Sequence, residues 1–263
     1  MAKTLHTDVH FGPDIPEINH VDASQPFHWL ARAWHDFTHA PVTSLIYGAF
    51  FALMGWGLYA VSEGPPHFVL TWVAAFFLAG PFLASGLYTL AHRMEHNHPA
   101  TLYHAVTAWH RSGLQMAIYV ALIAFMMLFW VRFTWLMVGL AFDNGMALDM
   151  GAFASMLTTL GPGFEYMGMY VVLGVLFAAL VFSISVVALP MLQDRRVDIV
   201  TAMITSLVAV RNNPGAMAVW AGLIVVLTAI GFATYMIGLV LVLPLLGYAT
   251  WHAYRDIVPR HHE

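Results

Sequence analysis

The chain has 263 residues, of which 60% are hydrophobic and 9% charged, and its mean hydropathy is +0.73. A soluble domain of that balance would carry adhesive apolar surface on every side, so the composition excludes a water-soluble globule and leaves a polytopic membrane protein. A net charge of −4 offers nucleic acid no basic surface, and the absence of cysteine excludes disulfides, iron–sulfur clusters and thiolate chemistry.

In chain order, residues 1–25 read as a flexible cytoplasmic tail, with Pro13, Asp14, Pro16, Glu17 and Asp22 and no apolar core of a signal peptide. The stretch PFHWLARAWHDFTHAP then spells an amphipathic helix. Phe27, Leu30, Trp34 and Phe37 recur at spacings of three and four and form one apolar stripe, with His28, Arg32, His35 and His39 on the other face. That pattern predicts a helix lying in the membrane interface, docked on lipid or under the first hairpin.

Apolar runs at roughly 42–62, 68–91, 114–141, 164–190, 215–233 and 235–253 predict six transmembrane helices, since about 20 residues cross a hydrocarbon core. Two more short helices are expected between them. One is TLYHAVTAWHRSG, with Leu102, Val106 and Trp109 turned inward, and the other is VDIVTAMITSLVAVRNNPG, which ends at Pro-Gly. The returning helix of each pair contains or ends with Pro81, Pro190 or Pro244, followed by Arg93, Arg195 or Arg255. The expected fold is therefore all-α: a six-helix domain over 26–258, built as three hairpins, each preceded by a cytoplasmic interfacial helix, with a tail at 259–263. A threefold repeat is expected near 26–92, 100–196 and 197–256.

Charge asymmetry orients the bundle. Lys3, Arg32, Arg93, Arg111, Arg195, Arg196, Arg211, Arg255 and Arg260 fall on one side of the predicted spans, whereas Glu63, Asp143, Asp149 and Glu165 mark the opposite loops. Lys and Arg concentrate in retained loops, which places both termini in the cytoplasm.

The stretches GPFLASGLYTLAHRMEHN, FSISVVALPMLQDRRVDIVTAM and RNNPGAMAVWAGLIVVLTAIGFATYMIGLVLVLPLLGYATWHAYRDIV resemble a bacterial family of integral membrane proteins, domain of unknown function 2189, from about Trp29 to Val258. The resemblance implies a fold and a bacterial inner-membrane address, with no reaction attached. Some members carry a cytochrome c oxidase subunit label. A catalytic haem-copper subunit needs imidazole ligands inside its spans. Here no predicted span holds a histidine before His252, at the end of the sixth, which excludes that role and leaves an accessory one open.

The densest histidine cluster is AHRMEHNHP. On a helix continuing from the second span, His92 and His96 stand at i and i+4 and share a face, as two ligands of one metal would. His98, His104 or His110 would complete a site, and Glu95 is the nearby carboxylate. The competing reading is an interfacial helix end whose polar tips stay wet. His28, His35 and His39 pose the same alternative. Met146, Met150, Met156, Met167 and Met169 suit either soft Cu(I) or ordinary helix packing. Arg132, deep in the third run, is either a functional intramembrane charge or, near the external boundary, an arginine snorkelling among aromatics with Asp143 or Glu165 as partner.

No nucleophile with a base, phosphate loop or acid pair is visible, and no cofactor is implied. Two functions remain: a non-catalytic accessory or assembly subunit of a larger membrane complex, a respiratory oxidase among the candidates, and a protein that binds or passes a small solute, lipid or soft metal such as copper. Small residues such as Gly48, Gly55, Gly57, Gly168, Gly174, Gly222, Gly231 and Gly238 would allow close helix contact in the first. The lipid bilayer, and in the first reading a second membrane protein, are the expected partners.

Overall fold

A computed structural model describes residues 15–61, 84–108, 113–141 and 162–259. The described residues form helices and turns, with no strand among them. The helices are α1 (Gln25–His39), α2 (Pro41–Val61), α3 (84–95), α4 (Leu102–Val106), α5 (Gly113–Ala141), α6 (Pro162–Ser185), α7 (Ala188–Asp194), α8 (Ile199–Asn212), α9 (Pro214–Ala233) and α10 (Leu239–Ile257).

Local chemistry sets the boundaries. Pro41, Pro162 and Pro214 each open a helix, where a missing N–H costs nothing and the fixed φ suits the first turn. Asp198 caps α8, its carboxylate accepting from the Thr201 amide at 3.1 Å and the Thr201 hydroxyl at 2.9 Å. Helix α3 ends on Asn97, whose φ of 55° is left-handed. The Asn97 amide donates to the Met94 carbonyl at 3.0 Å and the His98 amide to the Arg93 carbonyl at 2.8 Å, a Schellman closure followed by Pro99.

Three helical stretches are long and apolar enough to cross a membrane: Gly113–Thr134 in α5, Gly168–Asp194 across α6 and α7, and Pro214–Ala233. Helices α1 and α2 meet that test only together, and they are bent by 107° at Ala40. The described residues thus carry three or four candidate spans, where the sequence predicts six over the whole chain. The predicted second span lies mostly outside the described residues. The predicted sixth departs for a physical reason: α10 is apolar only in its first half, and its second half, with Trp251, His252, Tyr254, Arg255 and Asp256, is a packing centre for other helices.

Helix α10 organises the core. It packs against α1, α2 and α9, and Trp29, Trp220, Trp251, Tyr248 and Tyr254 are fully buried around it. Trp29 meets Trp220 edge-on at 5.8 Å. Along α2, the Ser44 hydroxyl lies 2.8 Å from that of Tyr248. One turn on, Gly48 sits against the Val240 backbone, where an added Cβ would fall 1.8 Å from the carbonyl oxygen. The cause is visible in the sequence: Pro244 has no N–H to give the carbonyl four residues back, so Val240 presents a bare oxygen that only a glycine can approach this closely.

Of the short helices, α4 turns differently from the sequence pattern, and α1 keeps part of its apolar stripe outside the chain. Helix α1 faces the chain with Trp29, Ala33, Asp36 and Phe37, while Leu30 is half-buried and Phe27 and Trp34 are exposed. Of the predicted stripe, only Phe37 is buried within the chain. Phe27 and Trp34 lie on the outer face, open to lipid, while Asp36 is buried through its hydrogen bond with His252. In α4, Ala105 is buried while Leu102 and Val106 are exposed; Trp109 lies outside the described residues.

Candidate functional site

The last two turns of α10 carry side chains to three other helices. Toward α1, His252 Nε2 lies 2.8 Å from Asp36 Oδ2, with both side chains largely buried. Asp256 accepts from Trp29 Nε1 at 2.8 Å, Gln25 Nε2 at 2.9 Å and Arg32 Nη1 at 3.1 Å, and forms an ion pair with Arg32. Burial alone would raise the Asp256 carboxyl, but the hydrogen bonds from Arg32, Gln25 and Trp29 and the Arg32 charge hold it below the usual carboxylate range.

Toward α7, the Tyr254 hydroxyl donates to Asp194 Oδ2 at 2.7 Å and accepts from Arg195 Nε at 2.9 Å. Burial first, then the Asp194 charge, pushes the Tyr254 phenol upward, so it stays a donor. Toward α3, Arg255 spans two carboxylates: Nη1 donates to Asp194 at 3.1 Å, and Nε and Nη2 to Glu95 at 3.3 Å. Trp251 Nε1 also donates to Glu95, at 3.4 Å. Gln193 extends the network, donating to the Thr89 hydroxyl and the Ala108 carbonyl.

His92 and His96 flank this network as the sequence predicts, one helical turn apart, with ring centroids 4.5 Å from each other. His92 Nδ1 is buried without a hydrogen-bond partner and lies 3.7 Å from Asp194 Oδ1. Burial outweighs the Asp194 charge and lowers the His92 pKa, so the ring is neutral at physiological pH. The other two predicted ligands are elsewhere. The chain reverses at Asn97, so His98 leaves the helix face and lines a cleft of about 580 Å³ with His39 and Thr43. His104 Nδ1 pairs with the Thr101 hydroxyl at 2.6 Å.

Arg132 is exposed on α5, and no ion pair joins it to another described residue. Its predicted partner Asp143 and the Glu165 side chain lie outside the described residues, as do Met146, Met150, Met156 and the Met167 side chain. Met169 is exposed.

Sequence reasoning missed Asp36, Asp194 and Asp256 and took Arg255 only as a topological marker. The available signal was WHAYRD, five polar or aromatic-polar groups within six residues at the end of an apolar run, facing several directions at 100° per residue.

A chain whose described residues are helix and turn, with several lipid-length apolar helices among them, is an integral membrane protein. Residues 69–194 match the model of a family described as predicted integral membrane protein (DUF2189). The matched stretch contains GPFLASGLYTLAHRMEHN and the first part of FSISVVALPMLQDRRVDIVTAM, whereas RNNPG and the rest of the carboxy-terminal stretch lie beyond it. No curated protein and no solved structure matches the chain.

Proposed function

We propose that the protein is a non-catalytic accessory or assembly subunit of a larger complex in the bacterial inner membrane, with the α10 network on the cytoplasmic side and both termini in the cytoplasm. The observation that carries this reading is how little the long helices bury within the chain. Only 22%, 17% and 22% of the most apolar stretches of α5, α6–α7 and α9 are buried. The remainder is apolar surface that lipid or the helices of a partner would cover. Gly168 and Gly222 strengthen the reading, because nothing lies within 4 Å of a Cβ added at either, so each leaves a notch on an open apolar face. Small residues on exposed membrane faces let a second helix approach closely. By contrast, Gly48 and Gly231 already serve contacts inside the chain.

Extraction in a mild detergent from the native membrane tests the proposal. The chain is expected to migrate in a complex well above its own 29.2 kDa with a second membrane protein, and Gly168→Leu with Gly222→Leu to release it without lowering its abundance. Migration of the wild-type chain alone would overturn the reading. Orientation is tested separately: cysteines placed at Ser62 and Asp149 should react with an impermeant thiol reagent in intact cells, and one at His98 should not.

A further inference from the structure

We propose that His92, Glu95 and His96, at the carboxy-terminal end of α3, form a binding site for a divalent transition-metal ion of the zinc class, with Asp194 of α7 beside it. The site stands whether or not the chain is an accessory subunit. One ligand atom from each of the three residues lies within 4.8 Å of the others, as positions i, i+3 and i+4 on one helical face require. Zinc accepts imidazole nitrogen and carboxylate oxygen at about 2.0–2.2 Å, so the exposed His96 ring and Glu95, whose oxygens now accept from Trp251 and Arg255, close the set by small rotations.

The surroundings orient these groups as metal ligands are usually oriented. His96 Nδ1 lies 2.8 Å from the His92 carbonyl, which only accepts, so Nδ1 carries the proton and Nε2 keeps its lone pair for an ion. Glu95 is steadied by the Trp251 indole N–H at 3.4 Å. His92 contributes the unexplained atom: its Nδ1 is buried, has no hydrogen-bond partner, and faces Asp194 Oδ1 at 3.7 Å. A buried ring nitrogen left unpaired is costly, and an ion or its bound water between His92 and Asp194 would satisfy it.

Arg255 is the competing cation. It holds Asp194 at 3.1 Å and Glu95 at 3.3 Å, so an incoming ion takes the looser Glu95 contact while Arg255 stays on Asp194. Two imidazoles with a carboxylate suit zinc or cobalt and leave a position for water, whereas Cu(I) would call for thioethers or thiolates.

The test uses the full chain in detergent, carrying no polyhistidine tag, stripped with chelator and titrated with Zn²⁺ and then Co²⁺. Wild-type protein is expected to take up one Zn²⁺ per chain and, with Co²⁺, to show the intense visible bands of a four-coordinate ion. His96→Gln, on an exposed side chain that folding does not need, should weaken Zn²⁺ at least tenfold, and His92→Gln with His96→Gln should abolish uptake. His98→Gln should bind as wild type does. Absence of stoichiometric uptake by the wild type, or equal affinity in His96→Gln, overturns the site.

Discussion

Gly48→Val is expected to be the most damaging single substitution in the described chain. The first atom added would lie 1.8 Å from the Val240 carbonyl oxygen and 2.6 Å from its carbon, and both are backbone, so no rotamer change relieves the clash. Helices α2 and α10 must part, which unseats Ser44 from Tyr248 one turn away. Overpacking a core costs about 1–3 kcal/mol when side chains can adjust; here they cannot, and about 3 kcal/mol or more is expected. For a chain of this size that lowers the unfolding temperature by roughly 10 °C. Gly222→Val is the control, because it adds the same β-branched side chain where nothing lies within 4 Å, and it should unfold within a degree or two of wild type. Thermal unfolding in detergent, followed by circular dichroism, decides it. Equal stability of Gly48→Val and wild type would mean that α2 and α10 are not in this contact.

The same contact shows what was legible in the sequence. Pro244 was evident as a break in an apolar run, and Gly48 as a small residue suited to close helix packing. That the two belong to one device, a carbonyl stripped of its helical donor and a glycine placed to meet it, requires knowing that α2 lies against α10, a separation of about two hundred residues that no local pattern encodes. The pairing of His92 with His96 was legible because it is local, four residues on one helix. His98 was lost to a reversal at Asn97 that Asn followed by His-Pro signals only in retrospect. In α1 the helix is legible from its period, and Phe27 and Trp34 stay outside the chain, but the burial of Asp36 is not legible, because it rests on a hydrogen bond from His252 of α10. Burial of charge depends on a partner, and partners are distant in sequence.

Asp256 gathers three donors from α1, and Asp256→Asn is expected to destabilise the protein by about 2 kcal/mol at neutral pH. Breaking a buried ion pair costs about 3–5 kcal/mol, but the Arg32 side chain is 42% exposed, so solvent screens part of that sum. What remains comes from the buried Trp29 indole and from Gln25, which both lose a charged acceptor. Arg32→Gln should therefore cost less than Asp256→Asn, since the freed carboxylate keeps those two donors. The pH dependence follows from the sign of the shift. The folded carboxyl is held below its ordinary value of 3.8, so the native state binds its proton less readily than the unfolded chain does. The resulting stabilisation is complete above that value and is lost as the pH falls through the depressed folded pKa. Unfolding temperatures of wild type and Asp256→Asn should thus differ by a constant amount from pH 7 to about pH 5 and converge below about pH 4. Curves that stay parallel down to pH 3 would show that the aspartate acts by shape alone and that its charge contributes nothing to holding α1 on α10.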